Sequence, residues 1–225
     1  MNTTEIIGCV EDKFCDYKQP VTILSKTDEN EFIVDDTEMF DWDRVSKIYG
    51  KNNPQSVDAI YFSLKNKVLT LYLFEFKKIS LYDKIFDAKK QLEDCINELE
   101  NCDFCCHYAG QIRKVKKNLV SKKVISLKTK PLESLILLHN VFNEFGISSE
   151  EIVKIRKEYY VVSKTPLSGN KSNWHRQGRS RELFGFIDDM CPFPFSQINH
   201  LNEKTFLSLI DDLNRNMNVN FSKDI

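Results

Sequence analysis

The chain has 225 residues, of which 41% are hydrophobic and 29% charged, with a formal net charge of −1. That composition describes a soluble globular protein of one ordinary domain, and no run approaches the roughly 18 apolar residues of a membrane span. Residues 1–7 lack the basic region and long apolar core of a secretion signal, and seven cysteines without regular spacing fit reduced thiols, so a cytoplasmic setting is expected.

The charges are unevenly distributed. Asp28, Glu29, Glu31, Asp35, Asp36, Glu38, Asp41 and Asp43 form an acidic stretch without a base. Arg113, Lys114, Lys116, Lys117, Lys122, Lys123, Lys128 and Lys130 form a basic stretch without an acid. Lys171, Arg176, Arg179 and Arg181 follow, with Trp174 and His175 interleaved. Such polarity suits phosphate binding on one side of a nearly neutral protein, or two solvated faces of opposite sign.

In chain order, residues 21–25 and 31–34 read as short strands joined by a polar turn. Asp36 or Thr37 then caps a helix with Phe40, Val45, Ile48 and Tyr49 inward, ended by Gly50. Residues 57–63 and 71–77 are apolar enough to be buried strands, yet each carries an acid, Asp58 and Glu75. With a two-residue turn at Asn66-Lys67, cross-strand partners have numbers summing to 133. Leu64 then faces Leu69, Phe62 faces Leu71, Ile60 faces Leu73 and Asp58 faces Glu75. Because side chains alternate with period two, these residues and Lys77 share one face. Two acids opposed at one rim repel and ask for a cation.

Farther along, 83–101 has the stripe of an amphipathic helix (Ile85, Phe86, Leu92, Cys95, Ile96, Leu99). A second helix is expected over 131–146, from Pro131 at its first position to Gly146. A third is capped by Ser148-Ser149-Glu150-Glu151 and runs to about residue 158. Residues 159–163 are β-branched and aromatic, a returning strand of the same sheet. The prolines Pro192 and Pro194 mark an apolar turn. The tail reads as a helix over about 202–217 with Phe206, Leu209, Ile210 and Leu213 inward.

The acid at the end of one strand and the Glu75-Phe76-Lys77 element on the next resemble the PD-(D/E)xK nuclease superfamily, the restriction-endonuclease-like fold. The proline stands four residues before Asp58, at Pro54, and not beside it. The resemblance covers about residues 36–100 and a later strand. It implies an α/β fold, a mixed sheet flanked by helices, with a helical insert over about 101–158 and a C-terminal helical tail over about 182–225, all in one domain.

The resemblance further implies a metal-dependent endonuclease hydrolysing phosphodiester bonds, in DNA by preference. Asp58, Glu75 and the Phe76 backbone carbonyl would hold Mg²⁺ or Mn²⁺, a hard ion suited to oxygen ligands, and Lys77 would orient or activate water. The preceding helix often adds an acid. Glu38 is the candidate, with Glu31, Asp41 and Asp43 as alternatives and a helix-dipole role as the plainer one for Glu38. Gln91 or Lys84 would reach phosphate from the following helix. Nucleic-acid contacts fall to Lys114, Lys117, Lys122, Lys123, Arg176 and Arg179. A homodimer or a protein partner is compatible with the resemblance; a membrane partner is not expected. The alternative is a nuclease-fold module without turnover that binds nucleic acid or protein, or an acidic 28–43 segment that docks a basic partner.

Other patterns are weaker. Cys102, Cys105 and His107 have zinc-like spacing but no second pair, so packing is the better account. Residues 168–172 lack the phosphate-loop pattern.

Overall fold

The computed structural model describes residues 3–26, 31–50, 54–65, 67–77, 126–164 and 190–221. Its centre is the expected hairpin. β3 (Ala59–Lys65) and β4 (Val68–Lys77) pair antiparallel, with Leu64 opposite Leu69, Phe62 opposite Leu71 and Ile60 opposite Leu73. Lys67 takes the left-handed φ of 65° that a two-residue turn demands. The apolar leucine face therefore selects the register, since a slip by one residue would turn it outward.

β5 (Arg156–Ser163) lies parallel to β4 and contains the expected returning strand. Three further strands complete a six-stranded mixed sheet in the order β1-β2-β3-β4-β5-β6. β1 (Lys18–Pro20) and β2 (Glu38–Asp41) continue the antiparallel side, and β6 (Gln197–Leu201) runs parallel to β5. The architecture is α/β.

Helices cover both faces. On one, α1 (Thr3–Phe14), α3 (Trp42–Tyr49) and α4 (Ser126–Glu144) bury Ile6, Val10, Phe14, Trp42, Val45, Leu138 and Phe142 against Ile60, Phe62, Leu71, Leu73 and Tyr159. On the other, α6 (Glu203–Phe221) lays Phe206, Ile210 and Leu213 on Tyr61, Phe74, Phe76 and Val162. The inner stripe of the tail helix is as expected, except that Leu209 is only half-buried.

Several expectations are corrected. Residues 21–25 are mostly the one-turn helix α2 (Val21–Leu24), and 31–34 carry no strand, although Phe32 and Ile33 are buried. The helix predicted from Asp36 or Thr37 starts later. Glu38–Asp41 pairs with two strands, and Asp41 caps α3 by accepting from the Arg44 amide at 2.9 Å. Ile48 consequently faces solvent, while Tyr49, partly exposed, packs its ring edge-on against buried Phe14 at 5.4 Å. α4 begins at Ser126, five residues before Pro131, because Leu127 is drawn into the core. The predicted capping box is present: Ser148 and Glu151 bond reciprocally at the start of α5 (Ser149–Lys154). α5 stops four residues short of 158 because β5 takes over. Phe195 is buried beside the Pro192–Pro194 turn, whereas Phe193 is exposed. β6 stands inside the segment read as a helical tail.

Candidate active site at the end of β3 and β4

Asp58 sits where β3 begins, and its backbone is tied on both sides. Its amide donates to the Phe74 carbonyl at 3.0 Å, and its carbonyl accepts from the Trp42 amide at 3.1 Å. α4 clamps the residues leading into it. The Ser134 hydroxyl accepts from the Val57 amide at 3.0 Å, and the Glu133 carboxylate accepts from the Gln55 amide at 2.5 Å. Asp58 Oδ2 accepts from the Phe76 amide at 2.6 Å, which fixes the carboxylate against β4 beside Glu75. The N–H and C=O of one strand residue point to the same side, so the Phe76 carbonyl also faces the Asp58 side.

Glu75 has no exposed surface. Its Oε1 accepts from the Lys77 ammonium, which belongs to the same strand and face, and from Lys130 Nζ at 2.8 Å. Its Oε2 is buried without a hydrogen-bond partner. Lys130 Nζ stands 3.7 Å from Asp58 Oδ1. The predicted trio Asp58, Glu75 and Lys77 is therefore assembled at one rim, and Lys130 joins it from α4, 55 residues away in sequence.

Electrostatics follow from this packing. Burial, and then the Glu75 charge, push the Asp58 carboxyl well above the usual carboxylate range, and Lys130, the Phe76 amide and Lys77 oppose that rise only in part. Burial pulls the Lys130 ammonium down, but Glu75 and Asp58 outweigh it and the net shift is upward. Tyr159, two residues before the β4–β5 register pair Glu75–Val161, has a fully buried hydroxyl with no partner. Burial raises its pKa, as do the Glu75 and Asp58 charges.

The acids proposed from the preceding segment are placed otherwise. Glu38 is exposed in β2, three residues from Asp41, which pairs with Ala59; that separation is about 10 Å along the strand. It stands away from Asp58, and with no helix starting there its dipole role disappears too. Asp41 is used as the α3 cap. Asp43 is the acid of this segment that senses Lys130. Burial raises its pKa, but Lys47, Ser56 and then Lys130 lower it overall. Both its oxygens are already engaged, by Ser56 at 3.0 Å and Lys47 at 2.6 Å.

Gln91, Lys84, Lys114, Lys117, Lys122, Lys123, Arg176, Arg179 and the Cys102–His107 cluster lie outside the described residues. Among the described residues no three or more His, Cys, Asp or Glu side chains gather as a metal site, and no helix is long and apolar enough to cross a membrane.

At the carboxyl ends of the parallel strands the same face continues. Lys77 pairs in register with Ser163, and Val161 with His200. Ser163 Oγ and His200 Nε2 are 2.6 Å apart. Burial pushes the His200 imidazole down to about 4 from an ordinary 6.5. Between those values the unfolded chain takes up a proton that the native state refuses, so His200 subtracts stability as pH falls through this window. The loss is expected to total about 3 kcal/mol once pH is below 4. Urea unfolding at pH 7 and pH 4.5 checks this: the stability difference between the two should be smaller in His200→Gln than in wild type.

Lys130 and Tyr159 were not singled out by sequence reasoning. Lys130 carried a usable signal. Leu127, Ser134, Leu137 and Val141 are buried in α4, and Lys130 falls three residues after Leu127 on that stripe. A lysine on a core-facing stripe must find a carboxylate. Tyr159 carried none beyond its place in an apolar strand.

Compared with known proteins, the chain matches no family model, no curated protein and no solved structure.

Proposed function

We propose that the protein is a metal-dependent phosphodiesterase of the restriction-endonuclease-like type, acting on nucleic acid and by preference on DNA. The observation that carries this reading is the meeting of Asp58 and Glu75 at one rim with the Lys77 ammonium beside them. The helix-flanked mixed sheet, with β5 parallel to β4, supports it further.

The donor set fits Mg²⁺ or Mn²⁺. Asp58 spends one oxygen on the Phe76 amide and keeps Oδ1, while Glu75 keeps an unpartnered buried Oε2. Those two oxygens, with the Phe76 carbonyl, would hold the ion, and waters and phosphate would complete its shell. When bound, the ion supplies positive charge to the phosphate oxygens and lowers the pKa of a bound water.

The chain's own residues do the rest. The Phe76 amide holds Asp58 in one orientation. Lys77, reaching solvent from the rim of β4, orients the attacking water and stabilises negative charge on the phosphoryl oxygens. The test is cleavage of single-stranded, duplex and branched DNA with Mg²⁺ or Mn²⁺ at low salt. Wild type is expected to cut, and Asp58→Asn to bind the same DNA without cutting.

A second reading has an observation of its own. Lys130 already offsets the acid pair, as it would in a nuclease-fold module without turnover. Binding without cleavage under either metal would favour that module and end the enzyme reading.

A further inference from the structure

Four charges meet at this site, and they are unequally held. Glu75 is sealed from solvent, whereas the Lys130 side chain is 22% exposed and the Lys77 side chain 31%. Both ammoniums crowd onto Glu75 Oε1 and leave Oε2 without a partner. Lys130 does not hydrogen-bond Asp58, since 3.7 Å is beyond that range. It thus balances two negative charges by proximity while bonding only one of them.

A lysine ammonium is a hydrated point charge on a four-carbon stem, well suited to leave such a position for water. The Asp58 carboxylate, by contrast, is fixed by the Phe76 amide, and the Glu75 side chain is fully enclosed. With both acids ionised, Lys77 and Lys130 make the cluster formally neutral. A divalent cation added to it makes an excess of positive charge in a largely buried site, and the two partly exposed ammoniums are the groups able to relieve it. Lys130, which stands 3.7 Å from Asp58 without bonding it, is the one set between both acids.

Resting on the metal-site reading above, we propose that Lys130 is a resident counter-ion of the Asp58–Glu75 pair, displaced when a divalent cation binds. The pair is thereby kept neutral without metal, and loading releases a second ammonium beside Lys77 where an anionic phosphate can meet it. Lys130 is a positioning residue in the empty protein and a phosphate contact in the loaded one.

Mn²⁺ titration followed by electron paramagnetic resonance tests this without any turnover. Lys130→Met is expected to bind Mn²⁺ about tenfold more tightly than wild type, because the competing charge is gone, while Lys130→Arg binds no more tightly than wild type. Equal or weaker binding by a folded Lys130→Met, with wild type still binding, overturns the displacement alone. Absence of Mn²⁺ binding from both proteins overturns the displacement and the metal site together.

Wild type offers a check independent of folding in the variants. The Lys130 ammonium resonance, protected by Glu75, is expected to shift and lose its protection as Mg²⁺ is added. Its persistence unchanged at a Mg²⁺ concentration that saturates the protein overturns the proposal.

Discussion

Lys77→Ala is expected to lower the single-turnover rate of Mg²⁺-dependent DNA cleavage by about 100- to 1000-fold, the range for removing one charged donor aimed at a transition state. Substrate binding should change little, and Mn²⁺ affinity should not fall. The fold survives, because the side chain leaves a solvent-facing rim and Glu75 keeps Lys130 at 2.8 Å. Removal of Lys77 also takes a positive charge away from the two acids, so metal binding has no reason to weaken. A loss in rate at saturating substrate therefore assigns Lys77 to the transition state. A loss confined to KM would assign it to ground-state phosphate binding, and no change would remove it from the reaction. Cleavage measured under single-turnover conditions, beside a Mn²⁺ binding isotherm, distinguishes these outcomes.

The parts of the site that were legible in the sequence are those set by local geometry. A two-residue turn and four leucines at alternate positions suffice to place Asp58 beside Glu75, because only one register buries Leu69, Leu71 and Leu73 together. Lys77 then follows by period two. Ser148 and Glu151 were readable for the same reason, since a capping box is complete within four residues.

What was not legible depends on distant partners. Glu38–Asp41 has no local strand signature stronger than the helix signal around it. It becomes β2 because β1 and β3 are there to pair with, and that pairing moves the helix cap from Asp36 or Thr37 to Asp41. β6 has polar residues at Gln197, Asn199 and His200, and its pairing with β5 overrides a weak local pattern. α1 was readable in principle, since Ile6, Val10 and Phe14 repeat at a spacing of four and are all buried. Lys130 is a lysine in a basic run until the fold brings α4 over the rim. Its neighbours in sequence suggest solvent or phosphate, whereas its neighbours in space are two carboxylates.

The charge cluster is also the place where function and stability are expected to oppose one another. Exchanging Glu75 for leucine and Lys130 for methionine in one chain replaces a sealed carboxylate and its ammonium by apolar groups of similar size. Such exchanges are commonly neutral or stabilising, by about 1–4 kcal/mol. Here a gain is expected, because Glu75 Oε2 is desolvated without a hydrogen bond and Asp58 is held against a like charge. In the double variant Asp58 retains the Phe76 amide, loses its repulsive neighbour and ionises more readily, while Lys77 turns to solvent or to Asp58. Lys130→Met alone should be less stable than wild type, since it leaves both acids with Lys77 as their nearest cation among the described residues. Glu75→Leu with Lys130→Met should therefore unfold at higher urea than wild type and neither bind Mn²⁺ nor cleave DNA. Urea midpoints for wild type, the Lys130→Met single and the double supply the comparison. If the double is the least stable of the three, the four charges hold the fold together, and the argument that they are kept at a cost for chemistry is lost.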